Sequence, residues 1–98
     1  MATSAHNGGK PAAFAVGDAA AIIAPRDERR LYLEIQNDAD GARMHISISD
    51  VHDAEFGVGL YLDPGSVYAI PPGLITHARI TGVCATGTTT TLYTQVGY

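Results

Sequence analysis

Between Arg29 and Asn37 the chain alternates residue by residue. Leu31, Leu33 and Ile35 point one way, and Arg30, Tyr32, Glu34 and Gln36 point the other. A period of two is the signature of an extended, half-buried strand; a helix would spread the same apolar side chains over its whole circumference. Arg43 to Asp50 repeats the pattern, with Met44, Ile46 and Ile48 inward and Arg43, His45, Ser47 and Ser49 outward. Asn37, Asp38, Asp40 and Gly41 lie between the two runs and supply turn chemistry. Two alternating runs joined by a short Asx/Gly turn predict an antiparallel hairpin.

The rest of the chain reads the same way. Ala19 to Ala24 is too short for a stable helix and is closed by Pro25, so it is expected as a strand. Val51 to Gly57 is a loop, and Val58, Leu60 and Leu62 form the next inward row. Asp63-Pro64-Gly65-Ser66 carries proline and glycine where a type II turn needs them. Val67 to Ile70 returns as a strand and stops at Pro71-Pro72-Gly73. Thr76 to Val83 follows, and Gly87 turns the chain into Thr88 to Val96, where Leu92 and Val96 face in. Thr88 to Thr91 is polar enough to sit in solvent and is expected as an exposed, unblocked edge. Residues 1–13 are small and polar and predict a flexible N-terminal arm; residues 14–98 form the domain. The expectation is a single all-β domain of about seven strands, an antiparallel β-sandwich or small barrel.

At 98 residues the chain holds one domain. Its 46% hydrophobic and 16% charged residues exclude a disordered chain. The net charge is −4, and the only basic cluster, Arg26 to Arg30, encloses Asp27 and Glu28. A phosphate-tracking surface needs a dense positive face, so no nucleic-acid partner is expected. No stretch reaches the roughly 20 apolar residues of a membrane helix, and the N-terminus lacks the apolar run of a signal peptide. The expectation is a soluble protein made in a cytoplasm, with no membrane partner. The lone Cys84 excludes an intrachain disulfide, and between Val83 and Ala85 it is expected to be buried and inert.

The sequence offers little catalytic chemistry. His45, His52, His77, Asp50, Asp53 and Cys84 are the available metal ligands, but they form no His-x-His pair and no Cys-His-Met set. No serine sits in a G-x-S-x-G elbow. The carboxylate pairs Asp50 with Asp53 and Asp38 with Asp40 fall in polar turns, where Asx roles account for them. Asn7-Gly8-Gly9-Lys10 lacks the upstream glycine of a phosphate loop. No enzyme, metal or cofactor is expected. Tyr32, Tyr61, Tyr68 and Tyr93 fall mostly opposite the aliphatic rows, which makes them candidate interface residues, since tyrosine is enriched at protein interfaces. A sugar-binding platform is the alternative, weakened by the absence of tryptophan.

Two stretches carry a resemblance. Ala24-Pro25-Arg26-Asp27-Glu28-Arg29-Arg30-Leu31-Tyr32-Leu33-Glu34-Ile35-Gln36-Asn37 resembles a P-x-R-x-x-L-x-I-Q-N pattern of small virion proteins of tailed bacteriophages. Gly59-Leu60-Tyr61-Leu62-Asp63-Pro64-Gly65-Ser66-Val67-Tyr68 is similar to their G-x-x-L-x-P-G-x-x-Y segment. The likeness spans about Ala20 to Val96. It implies a capsid decoration (cement) or head-fibre protein located in the virion, whose partner is the major capsid protein or another virion protein. It implies no functional residue, because the shared positions are strand and turn grammar. A homo-oligomer is expected from the outward tyrosines and the edge strand, and the resemblance implies a trimer. A carbohydrate- or receptor-binding module of a tail or fibre is the competing expectation.

Overall fold

The computed structural model describes residues 10–70 and 77–97. Eight strands run through them: β1 (Lys10–Val16), β2 (Ala21–Ala24), β3 (Tyr32–Asn37), β4 (Met44–Ile48), β5 (Leu60–Leu62), β6 (Val67–Ile70), β7 (Ile80–Cys84) and β8 (Thr90–Gly97). They make two four-stranded sheets, ordered β1-β8-β3-β6 and β2-β7-β4-β5. Every pairing is antiparallel. This order is the connectivity of an eight-stranded jelly roll, in which successive strands alternate between sheets except for one hairpin, here β4–β5.

The two sheets face each other across one core. The first contributes Val16, Leu33, Ile35 and Leu92; the second contributes Ile23, Ala24, Met44, Ile46, Leu62, Ile80 and Cys84. Alternation along β3 and β4 therefore predicted correctly which side chains go inside. A bulge in β2 after Ile22 lets the consecutive Ile23 and Ala24 both face inward. Cys84 is closed off between the sheets, its Sγ 3.5 Å from the Val16 carbonyl, and burial pushes its thiol pKa up. Asp63 to Ser66 forms the expected turn: Gly65 has a φ of 84°, and Ser66 N–H donates to the Asp63 carbonyl at 2.9 Å.

Tertiary context overturns several expectations. The proposed hairpin between Arg29–Asn37 and Arg43–Asp50 does not form: β3 pairs with β6 and β8, and β4 pairs with β5 and β7 in the other sheet. Residues 38–43 are a corner between sheets. Both inward rows reach the same core from opposite sides, which alternation alone cannot distinguish from a shared sheet.

The described residues hold eight strands rather than about seven, because β1 takes residues 10–13 from the expected arm and pairs them along β8. Residues 1–9 of that arm lie outside the described residues, as does the Pro71-Pro72-Gly73 stop. Consequently β8 lies between β1 and β3, so the Thr88–Thr91 run is no sheet edge, and Thr90 is buried. Leu31 precedes β3 and is exposed. Arg30, expected outward, is buried instead; its guanidinium donates to the carbonyls of Pro25 (3.0 Å) and Ala78 (2.9 Å), which compensate for its lost water.

Candidate functional site

Among the described residues, the outer face of the β2-β7-β4-β5 sheet carries a cluster of buried and aromatic side chains. Its middle is Thr81 and Val83 on β7 and His45 on β4, with His45 directly opposite both Val83 and Tyr61. All three of Thr81, Val83 and His45 would face water on an open sheet. All three are buried, and the β4–β5 connection, residues 49–59, turns back onto Thr81 and His45. Ala54 is itself buried, and its N–H donates to Thr81 Oγ1 at 2.8 Å. Phe56 sets its ring edge-on to the His45 imidazole, with centroids 4.6 Å apart, and Tyr61 closes the other side at 5.6 Å.

The root of this loop is held by polar bonds. Ser49 Oγ accepts from the N–H groups of Val51 and His52, and Ser47 Oγ donates to the His52 carbonyl. Asp50 accepts from the Arg79 N–H at 3.0 Å and pairs with Arg26 at 2.5 Å. The backbone N–H of Arg79, reinforced by the Arg26 guanidinium, holds the Asp50 carboxyl below the usual carboxylate range. Arg79 Nη2 also meets Asp53 at 2.8 Å. Asp50 and Asp53 thus anchor the root of the loop.

Although tied down at its root, the loop presents apolar side chains. Phe56 is 46% exposed and Val58 59%, and Val51 is more exposed still; on β5, Tyr61 is 53% exposed on the same face as His45, whereas Leu60, opposite the inward Ile46, is exposed at the sheet edge on the other face. Gly57 and Gly59 take φ values of 90° and 80°, which lets the chain double back between them. Arg43 lies 4.5 Å over the Tyr61 ring and bonds Asp63 at 2.7 Å, fixing the tyrosine at the rim.

The four tyrosines are not brought together. Tyr61 stands on this face. Tyr93 and Tyr32 stand on the outer face of the other sheet, Tyr93 opposite Gln36 and Tyr32 donating to Glu34 Oε2 at 3.1 Å. Burial, aided by Glu34, raises the Tyr32 phenol pKa. Tyr68 sits opposite the inward Ile35 and packs on the core, so its place on a common outward row is corrected. Tyr93 with Glu34, Gln36, Gln95, Pro11 and Ala13 lines an open groove across β1, β8 and β3.

His45, Phe56 and Val58 were missed as residues of this face. His45 has outward parity, and only the returning loop hides it. Val58 and Leu60 were assigned to the core, but β5 is a three-residue edge strand and Leu60 emerges at the open side of the sandwich. The available signal was local: large apolar residues interleaved with Gly57 and Gly59, where a loop is ordinarily polar. Among the described residues, no group of three or more His, Cys, Asp or Glu could hold a metal ion. The chain matches no family model, no curated protein and no solved structure.

Proposed function

We propose that this chain is a structural virion protein of the tailed-bacteriophage type, a capsid decoration protein that docks on the major capsid protein through the Phe56–Tyr61 side of the β2-β7-β4-β5 sheet. The observation that carries this reading is the pairing of an anchored loop with exposed large apolar side chains. The bonds of Ser47, Ser49, Asp50, Asp53 and Arg79 fix residues 49–53, and beyond them Phe56 is placed by the Ala54 N–H to Thr81 bond and its ring contact with His45, so the exposed Phe56 and Val58 rise from an anchored base. Jelly rolls build viral shells, lectins and metal-binding barrels alike, so the fold is compatible with this role without selecting it. A repeating shell multiplies a modest single-site affinity, which suits a patch of this size. Self-assembly into a homotrimer belongs to the same proposal.

The test is retention on capsids stripped of the protein. Wild type is expected to stay bound, while a Phe56→Ser/Val58→Ser variant with an unchanged melting temperature should bind at least tenfold more weakly. Equal retention of the variant, or no retention of wild type, overturns the proposal. Sedimentation as a 10.2 kDa monomer at micromolar concentration would remove the trimer.

A second reading rests on the other face. Tyr93 beside Gln36, Gln95 and Glu34 combines a flat aromatic ring with amide and carboxylate groups, the chemistry that holds a sugar. Glycan binding abolished by Tyr93→Ala, together with failure on stripped capsids, would favour a receptor-binding module of a tail or fibre.

A further inference from the structure

His45 is 6% exposed, and its Nδ1 has no hydrogen-bond partner. A neutral imidazole tolerates that position between Phe56 and Tyr61; an imidazolium would bring a charge and an N–H with nothing to accept it. The surrounding groups offer no counter-charge. The neighbouring charge is Arg43, just before β4 and itself engaged by Asp63. Tyr61 is the contact from β5, Phe56 the contact from the loop, and apolar Val83 lies opposite on β7. The loop's acids divide: Asp53 is paired with Arg79 at the loop root, and Glu55 is exposed.

The loop has two unequal halves. Residues 49–53 are held by bonds that do not involve His45. Residues 54–59 are held by the Ala54 N–H to Thr81 bond, the Phe56–His45 ring contact and a single turn from Val58 N–H to the Glu55 carbonyl. Gly57 and Gly59 lie in open space, where a Cβ would meet nothing within 4 Å. We infer that residues 54–59 form an acid-released flap, closed over Thr81 and His45 while the His45 ring is neutral and opened when that ring takes a proton. The flap is a property of the free chain and does not depend on what the face docks against.

The direction follows from linkage. Burial first, and Arg43 second, lower the His45 pKa below its ordinary 6.5. The closed flap therefore binds the proton more weakly than the open one. Closure is fully favoured above pH 6.5 and is lost progressively as pH falls from 6.5 towards the folded value. Opening frees the Thr81 hydroxyl from the Ala54 N–H and lifts Phe56 from the His45 ring. Asp50 is ionised throughout this window, so the loop root stays fixed while the flap lifts.

The experiment is nuclear magnetic resonance of the labelled full chain from pH 7.5 to 5.0. His45 is expected to titrate below 6.5. The amide protection of Ala54 should fall by up to about tenfold per pH unit beneath that value. The Phe56–His45 ring contact should disappear while the cross-strand contact between Ile35 and Thr94 persists. His45→Phe should keep the flap closed at pH 5.0, and His52→Gln should behave as wild type. A His45 titration at or above 6.5, or flat Ala54 protection in wild type, overturns the flap. So does simultaneous loss of the Ile35–Thr94 contact, which would mean global unfolding.

Discussion

Thr90 on β8 donates its hydroxyl hydrogen to Oδ1 of Asn37 on β3, and both side chains are shut away from solvent. The same Asn37 amide nitrogen donates to the carbonyls of Ala42 (2.8 Å) and Leu62 (2.9 Å). Its backbone N–H donates to Ser66 and its carbonyl accepts from Gly65. One residue thus joins β3, β8, the 38–43 corner and the end of β5. Two of the chain's crossings between sheets, β3 to β4 and β5 to β6, are pinned at this point. A buried amide is tolerated because each of its side-chain polar atoms is partnered.

Replacing Asn37 by leucine keeps the volume and removes that satisfaction. The Ala42 and Leu62 carbonyls and the Thr90 hydroxyl are left without their partner, at about 1–3 kcal/mol for each buried group. Asn37→Leu is expected to cost at least about 3 kcal/mol in denaturant unfolding, a large share of the margin of a small domain. Thr90→Val should cost less, and the double variant should fall short of the sum. An Asn37→Leu protein as stable as wild type would show that the amide bridges nothing of consequence.

Gly41 lies in the same corner, and here glycine is required by space. A Cβ added to it would fall 1.8 Å from Thr90 Oγ1 and 2.8 Å from Thr90 Cβ. The hydroxyl cannot swing away without leaving Asn37. Gly41→Ala is expected to destabilise the domain by about 2 kcal/mol, as overpacking does. Thr90→Ala should absorb part of that loss when combined with it. Strict additivity in thermal melts would mean that the two sites do not touch.

Asp50 makes an acid-sensitive anchor. Its carboxyl is held low by the Arg79 N–H and the Arg26 guanidinium, so its contribution is fully present above the ordinary carboxylate value near 3.8. That contribution is lost as pH falls below 3.8 through the lower folded value. Asp50→Asn should therefore melt below wild type at pH 7, and the gap should narrow progressively as pH falls below 3.8. A gap that is constant with pH would detach the anchor from its ionisation.

Much of the fold was legible in the residues. Leu33, Ile35, Met44 and Ile46 were assigned inward by alternation and are buried. Asp63-Pro64-Gly65-Ser66 formed its turn because proline and glycine fix those dihedrals locally. The candidate site was less legible. Tyr61 was placed outward, whereas Tyr68 turned inward because its register with β3 sets it opposite Ile35.

Period and turn chemistry are local quantities, and they determined that this chain is all-β, which residues on β3 and β4 face a core, and where it turns after Leu62. Pairing is not local. Whether β3 and β4 share a sheet depends on which strands arrive later to lie beside them, and β6, β7 and β8 took those edges. Burial of an outward side chain is not local either. His45 has the parity of a solvated residue, and it became buried only because residues 54–59 fold back and bring Phe56 onto its ring.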